Sequence, residues 1–515
     1  MLLPPSPPHT SKTPNEALSN LQTLLHNHLS TGTYTPFVYP YHALGPNILL
    51  LYLLLPPTRS PEIYYLRYPL FILITFFSVN AIWECRSASV TVGYGIGLLN
   101  AWAVLWSATL LIFWDARGEG RRIEMQEVKG EGKREVSSQA SSTSSDESRS
   151  QELRLRVANG HVGGADGPGE SQRVVYQSLP PTLYHRIDWV FDLVSNFRGL
   201  RWKHQLSGLP PPPSHIQAGL ADPSLPPPRP LSQLTRADLL RRDLPNFLLC
   251  CMALDVLKTV ALQDPYFWGL GPSTPSSFPW PVVTRLAISL TFVYTSLLTI
   301  FLLAPLIFGV LLGPRYIGQH AWPWLHPPYF GPPSQVWQKG IAGFWSGWWH
   351  QLFRYAFEQA GEFVARRVGW EQRTQRGMII RVFTAFFCSG VLHACASYAT
   401  LSETRPIRGP FIFFMLQPVG ISAQRAITGW TRKIGLRERI PVQLRWFGNM
   451  AVVVAWTLLT GPNISNDFAA CGIWLYEPLP ISPLRGLRGE GWWRWGGSWV
   501  RWYSADRWWQ SGLAF

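Results

Sequence analysis

His350 lies in the stretch GFWSGWWHQLFRYAFE, Gly343 to Glu358. At 3.6 residues per turn, Phe344, Trp348, Leu352 and Tyr355 share one face, with Trp345, Trp349, Phe353 and Phe357 close by. His350, Arg354 and Glu358 follow at i, i+4 and i+8, so the spacing predicts an amphipathic helix in a membrane interface. On that geometry alone the plainer account of His350 is an interfacial polar residue among tryptophans. His393 stands in AFFCSGVLHACASYA, near the middle of an apolar block. An ionisable group there costs several kcal/mol of desolvation unless it finds partners. The small residues around it (Ser389, Gly390, Ala394, Ala396, Ser397) let neighbouring helices approach. It reads either as a structural histidine bonded between helices or as a general base in a chamber reached from the cytosol. A reference pKa of about 6.5 suits imidazole to the second task. Cys388 and Cys395 flank His393 and could carry an acyl group, but cysteine in such a helix ordinarily acts as a small hydrophobe. Gly93, Gly95 and Gly97 read as a helix-packing face, since no strand precedes them as a nucleotide loop would require.

The elements that must hold these residues are membrane helices. Mean hydropathy is only +0.03 over 515 residues, but apolar blocks of near twenty residues alternate with stretches rich in Pro, Ser and Arg. That length matches a hydrocarbon core of about 30 Å. The blocks fall near 37–55, 66–83, 90–114, 244–262, 282–312, 382–398, 411–427 and 447–459. They predict an all-α polytopic membrane protein of about eight transmembrane helices plus the interfacial helix. The block at 282–312 is long enough to be tilted, kinked or broken in two. Residues 1–36 form an N-terminal tail without a cleavable signal pattern. Residues 115–183 read as a disordered insert, most polar over Ser137 to Ser150, and 208–232 as a Pro-rich linker. The tail 463–515, rich in Trp and Arg, reads as interfacial.

Net charge is +15, yet the basic residues sit in short loops between apolar blocks. That is the positive-inside pattern rather than a nucleic-acid surface. Clusters before the sixth block (Arg366 to Arg381) and after the seventh (Arg425 to Arg445) place both loops, and the large insert, on the cytosolic side. An endoplasmic reticulum location is expected. The six scattered cysteines show no metal-ligand spacing, so no metal and no bound cofactor is expected.

FWSGWWHQLFR (Phe344–Arg354), followed some forty residues on by FFCSGVLHACASYA (Phe386–Ala399), resembles the wax-synthase-like branch of the membrane-bound O-acyltransferases. NFRGLRW (Asn196–Trp202), MALDVLKT (Met252–Thr259) and FFMLQPVGISAQRA (Phe413–Ala426) resemble further elements of that family in the same order. The likeness covers most of 184–462. The resemblance implies His393 as catalytic base, His350 as the second site residue, and Trp345, Trp349, Arg354, Ser389 and Gln417 as substrate-binding candidates. It implies an acyl-CoA donor, a lipophilic alcohol acceptor and a lipid bilayer as surroundings. The chain departs from the family pattern at Ser346-Gly347-Trp348, where arginines are common, at Arg201 in place of a glycine, and at Pro418 after Gln417. Donor phosphates would then need Arg354, Arg198 or Lys339. Fungal relatives with comparable inserts resemble acetyltransferases of terpenoid or polyketide pathways, which makes acetyl transfer the expectation and wax ester synthesis the alternative. A proton-coupled transporter is the alternative from another class, although no internal repeat supports it.

Overall fold

A computed structural model describes residues 11–57, 60–87, 89–128, 171–222, 234–370, 374–400, 404–496 and 500–515. The chain forms two compact units: 1–120 with 178–210 and 234–515, and 121–177 with 211–233. The Ser-rich segment 137–150 and residues 223–232 of the Pro-rich linker lie outside the described residues.

In the smaller unit, strands Arg122–Val128 and Ser171–Gln177 pair antiparallel with Arg122 opposite Gln177, beside the short helix Ser214–Ala221. Ile123, Val174 and Ile216 form its buried apolar cluster. The flanks of the polar interval are therefore ordered. Ile123 and Met125 alternate with charged residues, the period of a strand with one covered face.

The larger unit is helical: α1 (Pro14–Ser30), α2 (Leu44–Leu53), α3 (Pro61–Glu84), α4 (Val90–Ala108), α5 (Leu183–Ser195), α6 (Arg236–Ala261), α7 (Pro281–Ala304), α8 (Ser334–Gly343), α9 (Arg354–Arg367), α10 (Gln375–Tyr398), α11 (Ile412–Lys433) and α12 (Val442–Ala470). Six helical segments among the described residues are long and apolar enough to cross a membrane: α3, α4, α6, α7, α10 and α12, with their continuations. The count of eight is not reached on this measure. At ten residues α2 rises only about 15 Å, and α11 carries Arg425, Arg432 and Lys433 in its second half. The protein is an integral, multi-pass membrane protein. The long fifth block is one α-helix that widens into a π-type turn over Pro305–Leu312, where proline lacks the N–H that would continue the ladder.

Close packing of α4 against α10 sets the centre of the fold. A side chain at Gly97 would collide with the Cys395 carbonyl and lie 2.8 Å from the Ala396 Cα, and one at Gly93 would lie 3.1 Å from the Ala399 carbonyl. Gly95 faces open space. Two of the three glycines thus form the expected packing face, matched to the small residues of α10. The Trp-rich tail forms no long helix among its described residues; the strand Arg501–Tyr503 pairs with Gly512–Ala514, which also pairs with Val38–Tyr39.

Candidate active site

The helix expected over Gly343–Glu358 is interrupted, and the interruption builds the site. Gly340 takes φ 62° and ψ −135°, a conformation that breaks α8. Gln424 of α11 accepts from the Ile341 N–H at 2.9 Å and donates to Asn449 of α12 at 3.1 Å, while Asn449 donates to the Trp337 and Gln338 carbonyls. Phe344–Trp348 then form a wide turn and Trp349 is extended. The Gln351 amide donates to the Trp345 and Trp349 carbonyls, so helical hydrogen bonding resumes only in α9. His350 therefore lies in an irregular segment, and the aromatic rings face inward. Phe301, Phe330, Trp349 and Phe353 surround its imidazole at centroid distances of 5.4–6.1 Å. Its Nδ1 is buried with no partner. Of the expected stripe, only the Arg354–Glu358 ion pair forms, at 2.6 Å.

His393 projects from α10 between α4 and α11. Its Nδ1 lies 2.9 Å from the Tyr94 hydroxyl of α4, and its ring stacks on Phe414 of α11 at 4.7 Å and 18°. With Nδ1 engaged, Nε2 is the nitrogen left for a substrate.

Both histidines line two cavities. The smaller, about 110 Å³, is almost wholly apolar, with Leu290, Val293, Val453 and Ile464 among its walls. The larger, about 590 Å³, has Ser389, Arg354, Arg381 and Arg425 among its lining residues. Trp345, Trp349, His350, His393 and Phe414 border both, so the histidines stand where one space meets the other. An apolar molecule from one side and a charged one from the other could meet at their ring nitrogens.

The remaining candidates divide. Trp345 and Trp349 lie at the junction, and Ser389 and Arg354 line the larger cavity. Gln417 borders the smaller cavity, but its amide is taken by protein: Oε1 accepts from Trp345 Nε1 at 3.1 Å and Nε2 donates to the Phe413 carbonyl at 2.9 Å. It holds Trp345 in place. Arg198 is withdrawn as a phosphate contact. Buried at 4% exposure, it donates to the Pro327 and Pro328 carbonyls and sits 3.8 Å over the Tyr329 ring. Lys339 is exposed on α8 and lines neither cavity. Arg381 and Arg425 line the larger cavity instead; sequence reasoning used them only for membrane orientation. Tyr94 was also missed, although its place between two packing glycines was a signal. At Arg201, φ is 63°: the arginine adopts the left-handed conformation a glycine would take, and its guanidinium lies 3.7 Å from Asp192.

The model of the Membrane bound O-acyl transferase family matches residues 326–416, which include both histidines. The chain is 27% identical to Acetyltransferase eriL of Hericium erinaceus over 333 residues, covering 62% of this chain and 77% of that protein. It is 26% identical to Acetyltransferase spyB of Aspergillus fumigatus, covering 48% of this chain and 40% of that protein. Against Acetyltransferase ple2 of Rhodocybe pseudopiperita it is 30% identical, covering 24% and 32%. The chain thus spans about three quarters of the first relative and less than half of the other two. No solved structure matches it.

Proposed function

We propose that this protein, an O-acyltransferase of the membrane-bound type resembling fungal acetyltransferases, moves an acetyl group from acetyl-CoA to a hydroxyl of a lipophilic terpenoid or polyketide alcohol. The observation that carries the reading is that His350 and His393 line both the apolar cavity and the arginine-lined one. Arg381 and His393 are twelve residues apart on α10, roughly 18 Å at 1.5 Å per residue. An extended phosphopantetheine arm has a comparable reach, so phosphates at the arginines would bring a thioester to the histidines. The apolar cavity suits the acceptor. The names of the relatives favour acetyl over longer chains.

In this reading His393 Nε2 takes the proton from the acceptor hydroxyl as its oxygen attacks the thioester carbonyl. His350 donates to the developing oxyanion. Collapse of the tetrahedral intermediate breaks the C–S bond, and the coenzyme A thiolate takes the proton from His393 Nε2 as it leaves, which restores the base. Aromatic walls keep water out, so transfer outruns hydrolysis. No metal enters this scheme. The large insert faces the cytosol of an endoplasmic reticulum membrane, where acyl-CoA is available.

The test uses microsomes from a host expressing the full chain, supplied with labelled acetyl-CoA or palmitoyl-CoA and a panel of terpenoid and fatty alcohols. Acetyl ester from wild type, lost in His393→Ala at equal expression, is the expected result. Palmitoyl esters of fatty alcohols without any acetyl ester would replace the reading with wax ester synthesis. No ester from any pair would overturn it.

A further inference from the structure

We infer that Tyr94 is a positioning residue for His393, fixing which ring nitrogen faces the substrates and supplying an acceptor for the other when it is protonated. The inference rests on the acyl-transfer reading above and goes beyond it by assigning a residue of α4, outside the stretch 326–416 matched by the family model, to the reaction.

For Nε2 to accept a proton from an alcohol, the neutral imidazole must carry its own proton on Nδ1. That N–H needs an acceptor, because a polar hydrogen left unmatched in an apolar interior costs one to several kcal/mol, by the usual order of magnitude. The Tyr94 oxygen, 2.9 Å from Nδ1, is the hydrogen-bonding atom in reach of it. The ring's flat face is covered by Phe414, and the adjacent residues Leu392 and Ala394 are apolar and buried. Tyr94 is itself held. It is 9% exposed, and its ring packs edge-on against Phe468 of α12 at 5.6 Å. Gly93 and Gly97 permit the approach of α4 to α10 that closes the contact, since a side chain at either would meet the α10 backbone. One hydroxyl, carried by a helix more than two hundred residues earlier in the chain, thus aims the base and can accept from Nδ1–H in the tautomer that the reaction uses.

As proton transfer proceeds, Nε2 gains the alcohol proton and the ring becomes an imidazolium with both nitrogens protonated. The Nδ1–H···O contact to Tyr94 persists and strengthens with that charge. The Nε2 proton then passes to the departing thiolate, which restores the starting tautomer. Tyr94 loses and gains no proton.

Tyr94→Phe keeps the ring that packs against Phe468 and removes only the hydroxyl. Wild type, Tyr94→Phe and His393→Ala are compared in microsomes with acetyl-CoA and acceptors of graded hydroxyl acidity, made by fluorination next to the carbinol. The expected result is a kcat lowered about 10- to 100-fold, a part of the roughly 100- to 10,000-fold that general-base catalysis contributes. KM values for donor and acceptor should stay within about twofold of wild type, since no substrate contact is lost. The deficit should shrink as the acceptor hydroxyl becomes more acidic, because a poorly held base matters least for a proton that leaves easily. A loss of stability without chemical consequence would show no such trend. Wild-type kcat in Tyr94→Phe, with His393→Ala inactive, would overturn the positioning role and leave the acyl-transfer reading standing. Absence of ester from wild type would overturn both. Should Tyr94→Phe not accumulate, 3-fluorotyrosine at position 94 serves as the second variant: it keeps the shape and weakens the acceptor. A several-fold fall in kcat supports the inference, and an unchanged kcat overturns it.

Discussion

At the scale of single residues, the site contrasts two histidines with different surroundings. His393 has a partner on Nδ1, whereas Nδ1 of His350 is enclosed by rings with none. An imidazole so enclosed is suited to donate to a developing oxyanion rather than to cycle a proton. His350→Ala should therefore lower kcat by about 100-fold, the usual effect of removing one oxyanion donor, with little change in KM for the acyl donor. His350→Asn, which restores a donor, should recover part of that loss. Steady-state kinetics on matched membrane preparations measure both, and an equal loss in the two variants would make the ring's packing, not its N–H, the property that matters. The residue scale is also where the sequence was least informative about roles. Arg198 and Arg381 are alike in sequence, one in an expected motif and one in a loop-side cluster. Only the fold puts the first under two proline carbonyls and the second on a cavity wall.

At the scale of elements, the segment between α8 and α9 decides whether His350 meets His393. Its aromatic periodicity is real, and it suggested one continuous helix. That pattern cannot register competing hydrogen bonds, here from the distant Gln424 and Asn449 at the kink and from the local Gln351 within the turn. Gly340 is the residue whose type reveals the break, because its φ of 62° and ψ of −135° suit no other side chain. Gly340→Ala should cost about 1–3 kcal/mol in backbone strain, and its methyl would displace the Gln424 amide. The expected outcome is a lower unfolding temperature in detergent together with reduced kcat, since the strained turn and His350 share one short segment. Full activity with a lowered unfolding temperature would separate the kink from the site.

At the scale of the whole larger unit, the tail beyond α12 is clamped to the end of α6. Arg485 makes two charge-assisted bonds to Glu477, at 2.8 and 2.6 Å, and Asp255 accepts from the Ser482 hydroxyl and from the Leu484 N–H at 2.8 Å. Lys258 donates to the Trp474 carbonyl at 2.5 Å. With side-chain exposures of 5% for Arg485 and 18% for Glu477, removing one partner leaves a poorly solvated charge. Arg485→Ala should destabilise the protein by roughly 3 kcal/mol or more, visible as a lower detergent unfolding temperature and easier proteolysis after residue 471. An unchanged unfolding temperature would mean that the clamp is dispensable. Asp255 belongs to MALDVLKT, one of the segments that carried the family resemblance, so the physical role of that aspartate here is to anchor the chain after the last long helix.

The membrane surroundings and the class of reaction were legible in local stretches of the chain. Apolar blocks of membrane-spanning length are a one-dimensional property, set by bilayer thickness and rise per residue, and they identified the polytopic helical protein and most of its long helices. Short motifs around His350 and His393 carried the resemblance that pointed to acyl transfer, and both lie within the stretch 326–416 that the family model matches. Which groups meet follows instead from how the helices pack. Tyr94 reaches His393 across 299 positions, Gln417 turns its amide to Trp345, and Arg381 and Arg425 converge on one cavity from different helices. Such contacts depend on helix packing distances fixed by small residues on two separate segments. No window of sequence contains both partners, so their pairing exists only in the fold.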